Sequence, residues 1–316
     1  MFKYIMRKLL MMIPMLLVIS ILIFSALQLM PVDPINYMIS PDAMNNTANI
    51  EALRHDLGLD KPIPIQYIDW ISGILHGDFG YSILSGEAIS NILAQRFPAT
   101  IQLALVSLVI SSVLGIVLGI IAAVHQNGIV DYITRIIAVV GQSIPEFVFA
   151  MVLMVIFVFK LAWFPPGGRA PFGNGAMANI KPIILPAFAL SIGLISTVFR
   201  YTRNSMLDVM GKEYIKTARS KGIAEWKVYL KHAFRNALGP VLVTIMLRIP
   251  ALIGGSVVIE TIFNWPGIGS QLMSGVSSSD YPVIMMITLV LATVLLVASF
   301  LIDVISALLD PRIRLE

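Results

Sequence analysis

Six stretches of this chain are apolar for long enough to cross a lipid bilayer, and no other feature narrows its fold so far. They run Leu9–Met30, Ala99–Val124, Tyr132–Phe159, Pro182–Phe199, Ala237–Ile259 and Pro282–Leu309. The hydrocarbon core of a bilayer takes about 20 residues of helix. No water reaches a peptide group there, so each span must satisfy its own backbone hydrogen bonds. The runs lack the alternation that a membrane barrel strand would show, which leaves helices. Composition agrees: 13% of residues are charged, against about 25% in soluble domains. The expected fold class is an all-α polytopic membrane protein with six transmembrane helices. The sequence has no cysteine, which excludes disulfides, thiolate metal sites and Cys nucleophiles.

The positions of Lys and Arg set the orientation. With six spans, both termini and the segment after the fourth span share one side, together with Arg135. That side holds 15 of the 22 basic residues, nine of them between Arg200 and Arg235. The first loop on the other side is acidic, with Asp33, Asp42, Glu51, Asp56, Asp60, Asp69, Asp78 and Glu87. Both termini are therefore expected in the cytoplasm, and the net charge of +4 reads as positive-inside bias, not as a nucleic-acid patch. The first apolar run is too long for a signal-peptide core and no clear cleavage site follows it, so a retained first helix is expected.

Residues 31–98 form one large external segment. Pro31-Val32-Asp33-Pro34 stops the first helix, and Met38–Asn49 has loop composition. Glu51–Leu57 suits a short helix. Ile65, Ile68, Ile71, Ile74 and Leu75 recur at helical spacing beside Tyr67 and Trp70, the pattern of a helix along the membrane interface. Gly77-Asp78-Phe79-Gly80 then demands a turn. The segment either caps the bundle or also docks an external partner. Gly115 and Gly119 make a G-x-x-x-G, for which helix packing is the expected use.

No phosphate-binding G-x-x-x-x-G-K-[ST] loop occurs. Gly211-Lys212 comes nearest, but Glu213 follows it and Met206 stands where the first glycine belongs. There is no H-E-x-x-H or G-x-S-x-G, and His55, His76, His125 and His232 are scattered. The residues thus point away from an enzyme and toward transport.

The basic loop is the most informative stretch. Its first part, from Glu213 to Gly222, reads as a short helix with Tyr214, Ala218 and Gly222 on one face. Ala218 and Gly222 would leave that face bare for another backbone, and Gly222 also suits a C-terminal cap. The second part reads as amphipathic, with Trp226, Leu230, Ala233, Phe234 and Ala237 on one side and Lys227, Lys231 and Arg235 as a basic stripe toward lipid phosphates. Two plain surface helices, or a helix that plugs into a groove of a soluble partner, both fit these residues.

This loop resembles the EAA-type coupling loop of ABC importer permeases, through Glu213, Ala218, Gly222 and the stretch Ala233–Pro240. The chain as a whole resembles the dipeptide/oligopeptide/nickel branch, in its first-permease type. The matching stretches are Leu53–Pro62, Gly77–Ser82, Val258–Gly269 and Leu309–Arg314. The resemblance implies a type I importer (MetI-like) fold: an N-terminal helix over 1–30, an extracytoplasmic segment over 31–98, and a permease core over 99–316 with its coupling loop at 200–236. It also implies a second homologous permease, two ATPase subunits that bind ATP and Mg, and an external solute-binding protein. The chain itself would hold no cofactor and would sit in a bacterial cytoplasmic membrane. Glu213, Tyr214, Ala218, Arg219 and Gly222 would contact the ATPase. Peptides are the implied cargo, with nickel, a metal chelate or another small solute as the alternative. A stand-alone secondary transporter is the alternative of a different class, and it leaves the loop without a purpose.

Two charges lie deep in the apolar runs. Arg248 is in the fifth and Glu146, after Pro145, is in the third. A lone Arg at mid-membrane costs about 2.5–3.5 kcal/mol on insertion scales, so it needs a partner or a cavity. Either the two form a structural ion pair or they line a path. Pro145 and Pro250 are candidate helix breaks beside such a path.

Overall fold

The structure is a computed structural model, and it describes residues 2–29, 51, 55, 60–170 and 180–309. The expectations for Pro31–Pro34, Met38–Asn49, most of Glu51–Leu57 and of Leu53–Pro62, and the chain end after Leu309 lie outside the described residues.

Among the described residues, four helices are long and apolar enough to span a bilayer: α1 (Phe2–Gln28), α3 (Ile89–Val124), α6 (Ile180–Met210) and α11 (Tyr281–Leu309). Two bent helix pairs are each long and apolar enough, taken together, for one further span. The first joins α4 (Ile129–Ser143) to α5 (Glu146–Lys160) at 104°, and the second joins α8 (Glu225–Met246) to α9 (Ile249–Ile262) at 47°. Counted as one span each, they complete the six. Short helices fill the connections: α2 (Ile63–Leu75), α7 (Glu213–Ser220) and α10 (Ile268–Ser278).

Proline explains both bends. Ile144 precedes Pro145 and takes an extended conformation, φ −82° and ψ 125°, because a following proline ring disfavours the helical region. Pro145 then starts α5, where a missing N–H costs nothing. Pro250 stands in the first turn of α9 for the same reason. Both prolines thus stand at helix breaks, as their positions in the apolar runs suggested.

The chain packs as two compact units. Residues 1–98 and 267–297 form one, and 99–266 with 298–316 form the other. In the first, α2 lies against α1. Phe24 meets Tyr67 edge-on and stacks on Trp70, with centroids 5.5 and 5.9 Å apart, and the Ser20 and Tyr67 hydroxyls are 2.8 Å apart. The aromatic edge of α2 therefore faces its own chain, while Ile65, Ile68 and Leu75 stay exposed. The turn at Gly77–Gly80 forms as expected, with φ +84° at Gly77 and +76° at Gly80. Ile89, Ile92, Ile268, Val283, Met286 and Ile287 make this unit's core. Asp280 pins the loop after the turn: Ser82 Oγ donates to it at 2.5 Å and the Ile83 N–H at 3.2 Å. Outside the spans, a hydrogen bond with His55 at 2.7 Å holds the Asp60 carboxyl below the usual carboxylate range.

In the second unit α6 is central. Its apolar window is 72% buried, against 11–28% for the other continuous spans. The G-x-x-x-G of α3 meets it directly. A Cβ built on Gly115 would lie 2.6 Å from Val198 Cβ, and one on Gly119 2.6 Å from Thr202 Cβ. Gly141 of α4 approaches Ser196 in the same way. Asp131 and Arg203 tie α4 to α6 by a bidentate pair of 2.6 and 2.7 Å.

Behind the Pro266 boundary, the Trp265 ring is fully buried and its indole N–H donates to the Ala99 carbonyl at 2.8 Å. Glu260 is also fully buried. Thr100 Oγ1 and Ser256 Oγ donate to it at 2.7 and 3.0 Å, so this carboxylate is bound into the fold.

Candidate functional site

The two helix breaks open onto one cavity of about 180 Å³, lined by Gln142, Glu146, Leu190, Gly193, Thr197 and Arg248 among others. Glu146 and Arg248, singled out as charges in apolar runs, thus come to the same place. Among the described residues neither has an ion-pair partner. The structure therefore does not join them as a structural pair. Glu146 opens α5 and Arg248 sits at the start of α9, so the breaks aim both side chains into the cavity.

Two glycines lie next to the Glu146 carboxylate. A Cβ on Gly193 of α6 would be 3.3 Å from Oε1, and one on Gly255 of α9 would be 3.7 Å from Oε2. Sequence reasoning did not select Gly193, Gly255, Gln142 or Thr197. A glycine inside a helical run is a weak signal, and only the crossing of α5, α6 and α9 shows what these glycines adjoin.

The second candidate region is α7 and the start of α8. Ile215 and Ala218 are buried with Ala123, Met206, Val228, Ala233 and Ala237 in a single core. Ala218 is thus covered by this chain's own helices. Its small side chain serves the contact of α7 with α6 and α8, and the expectation of a bare outward face through Ala218 is corrected. Glu213, Tyr214, Arg219 and Gly222 are exposed. Glu213 pairs with Lys216 at 2.8 Å and Arg219 with Glu225 at 3.1 Å. The Arg219 guanidinium also lies 5.9 Å from the Tyr229 ring.

Gly222 ends α7 as expected of a C-terminal cap. Its φ is +74°, its N–H donates to the Arg219 carbonyl at 2.9 Å, and a Cβ there would touch nothing within 4 Å. Glycine is required for its dihedral and not for a close neighbour. A substitution there is expected to cost about 1 kcal/mol through backbone strain alone, measurable as a lower thermal midpoint of the purified protein.

The expected apolar side of α8 is also revised. Val228–Phe234 is a π-helix, which widens each turn. The buried positions become Val228, Ala233 and Ala237, spaced five and four apart, while Trp226 is 61% and Leu230 50% exposed. A 3.6-residue period read from sequence cannot foresee that extra residue. Lys227 covers the exposed Trp226, with Nζ 5.4 Å from the ring.

This arrangement of spans and short helices matches the permease fold of type I ABC importers. The MetNI methionine ABC transporter in its inward-facing conformation matches with a TM-score of 0.55 at 16% identity, over 69% of this chain and 96% of that one. A crystallised amino acid ABC transporter with histidines matches with a TM-score of 0.50 at 13% identity, over 69% and 94%. The family described as "Binding-protein-dependent transport system inner membrane component" matches residues 115–315, and its N-terminal companion matches residues 1–104. The chain belongs to this family and is a multi-pass inner-membrane permease subunit of an ABC importer. Over 98% of its length it is 39% identical to the oligopeptide transport system permease protein AppB of Bacillus subtilis (strain 168), covering 99% of that protein. Over 99% it is 37% identical to the glutathione transport system permease protein GsiC of Salmonella typhimurium (strain LT2), again covering 99%.

Proposed function

We propose that this permease carries peptides inward across the cytoplasmic membrane, as the names of the AppB and GsiC relatives indicate for those proteins. It forms half of a pore with a second homologous permease and catalyses no reaction itself. Two ATPase subunits bind ATP and Mg, and an extracytoplasmic binding protein hands over the cargo. Both termini are cytoplasmic, and residues 31–98 face outward.

In this reading α7 is the coupling helix. Glu213, Tyr214, Arg219 and Gly222 meet the ATPase, and Ala218 with Ile215 anchors the helix from behind. Glu146 and Arg248 line the path. One observation carries the assignment: α6 bears both ends of the machine. Met206 is in the core that holds α7, and Leu194 lines the cavity. They stand twelve positions apart, about 18 Å along one continuous helix. A push on α7 therefore reaches the cavity through a stiff rod.

The test is uptake of a labelled tripeptide into proteoliposomes holding the whole transporter and its binding protein. Glu213→Arg is expected to abolish uptake and its dependence on ATP while the chain still inserts. Unchanged ATP-driven uptake in both Glu213→Arg and Tyr214→Ala would sink the coupling assignment. Full-speed uptake by wild type without nucleotide would favour the secondary-transporter reading instead.

A further inference from the structure

We propose that Glu146 is an ammonium-binding subsite that reads the free amino end of the cargo, with Arg248 taking an anionic group on the same cavity. This rests on the peptide reading above and gives the path a chemical preference.

Three observations carry it. The Glu146 carboxylate has no hydrogen-bond or ion-pair partner among the described residues, although it stands in an apolar span between Pro145 and Phe147. A carboxylate so placed needs a cavity or a cation to face, and Glu146 faces the cavity. It also lies against glycines of two other helices. A Cβ on Gly193 would make a tight 3.3 Å contact with Oε1, and one on Gly255 an ordinary 3.7 Å contact with Oε2. Finally, the opposite charge is nearby and equally uncommitted, since Arg248 lines the same cavity from the start of α9.

Together these make a site with separate anionic and cationic walls. A ligand carrying both an ammonium and a carboxylate satisfies both walls, whereas one with a blocked amine leaves Glu146 bare. The volume of about 180 Å³ suits the end of a short peptide; a cavity of about 150 Å³ already holds a benzene molecule. Glu260 offers no competing subsite, because Thr100 and Ser256 already bind its carboxylate.

The experiment measures equilibrium binding of radiolabelled trialanine and N-acetyl-trialanine to the detergent-purified transporter without its binding protein. Wild type is expected to prefer the free amine by about 10–100-fold, the range for a hydrogen bond to a charged group. Glu146→Gln should bind the two peptides nearly alike. Gly193→Ala, which pushes on Oε1 but keeps the charge, should reduce the preference without erasing it, and it serves if Glu146→Gln does not assemble. A wild-type preference retained in both variants overturns the subsite, as does an equal loss of both peptides in Glu146→Gln. If wild type binds neither peptide the subsite is overturned, while the peptide reading is decided separately by the uptake assay with the binding protein present.

Discussion

Asp131→Ala is expected to lower the stability of the purified permease by about 3–5 kcal/mol, the cost of leaving one partner of a buried ion pair alone. Asp131 is 1% exposed and Arg203 14%, and the guanidinium meets both carboxylate oxygens, at 2.6 and 2.7 Å. The Asn127 N–H adds a third donor at 3.1 Å, from a residue whose φ of +62° is held by this contact. Removal of the carboxylate would strand a cation between α4 and α6 and free the turn before α4. Asp131 also stands in the first turn of α4, where a negative charge is favourable by about 0.3–1 kcal/mol. Thermal unfolding followed by size exclusion in detergent reads the effect. The double variant Asp131→Leu with Arg203→Leu should recover much of the loss, because apolar replacements carry no desolvation penalty. A midpoint for Asp131→Ala equal to wild type would mean that the pair contributes nothing.

The second large effect is expected at the crossing of α3 and α6. A Cβ on Gly119 would fall 2.6 Å from Thr202 Cβ and 2.9 Å from the Phe199 carbonyl oxygen. The carbonyl belongs to a helix backbone, so it cannot swing away as a side chain can. Alanine favours a helix over glycine by about 1 kcal/mol, but the overlap costs about 1–3 kcal/mol or more. Gly119→Ala should therefore destabilise, Gly119→Val more so, and uptake should fall as α6 is displaced. Gly239 in α8 gives the contrast, since a Cβ there meets nothing within 4 Å. Gly239→Ala should be neutral or slightly stabilising. Equal midpoints for Gly119→Ala and Gly239→Ala would show that the helices do not need this close approach.

The elements that could be read from the sequence are those set by local composition. Bilayer thickness dictates the length of an apolar run, so the membrane class and the six spans followed directly. The turn at Gly77–Gly80 and the cap at Gly222 followed from the left-handed dihedrals that glycine alone adopts cheaply. The prolines at 145 and 250 marked the breaks. Glu146 and Arg248 were visible as charges where a bilayer tolerates few.

Only the packing of helices decided the rest. The π-turn over Val228–Phe234 moved Trp226 and Leu230 outward, because α8 fits α6 and α7 through Val228, Ala233 and Ala237. The face of Ala218 turned inward for the same reason. The pairing of Asp131 with Arg203, 72 residues away, and the glycines beside Glu146 depend on which helices cross and at what height. A sequence states the period and polarity of each helix. Which neighbour meets it, and on which side, is set by side-chain volumes distributed over several helices at once.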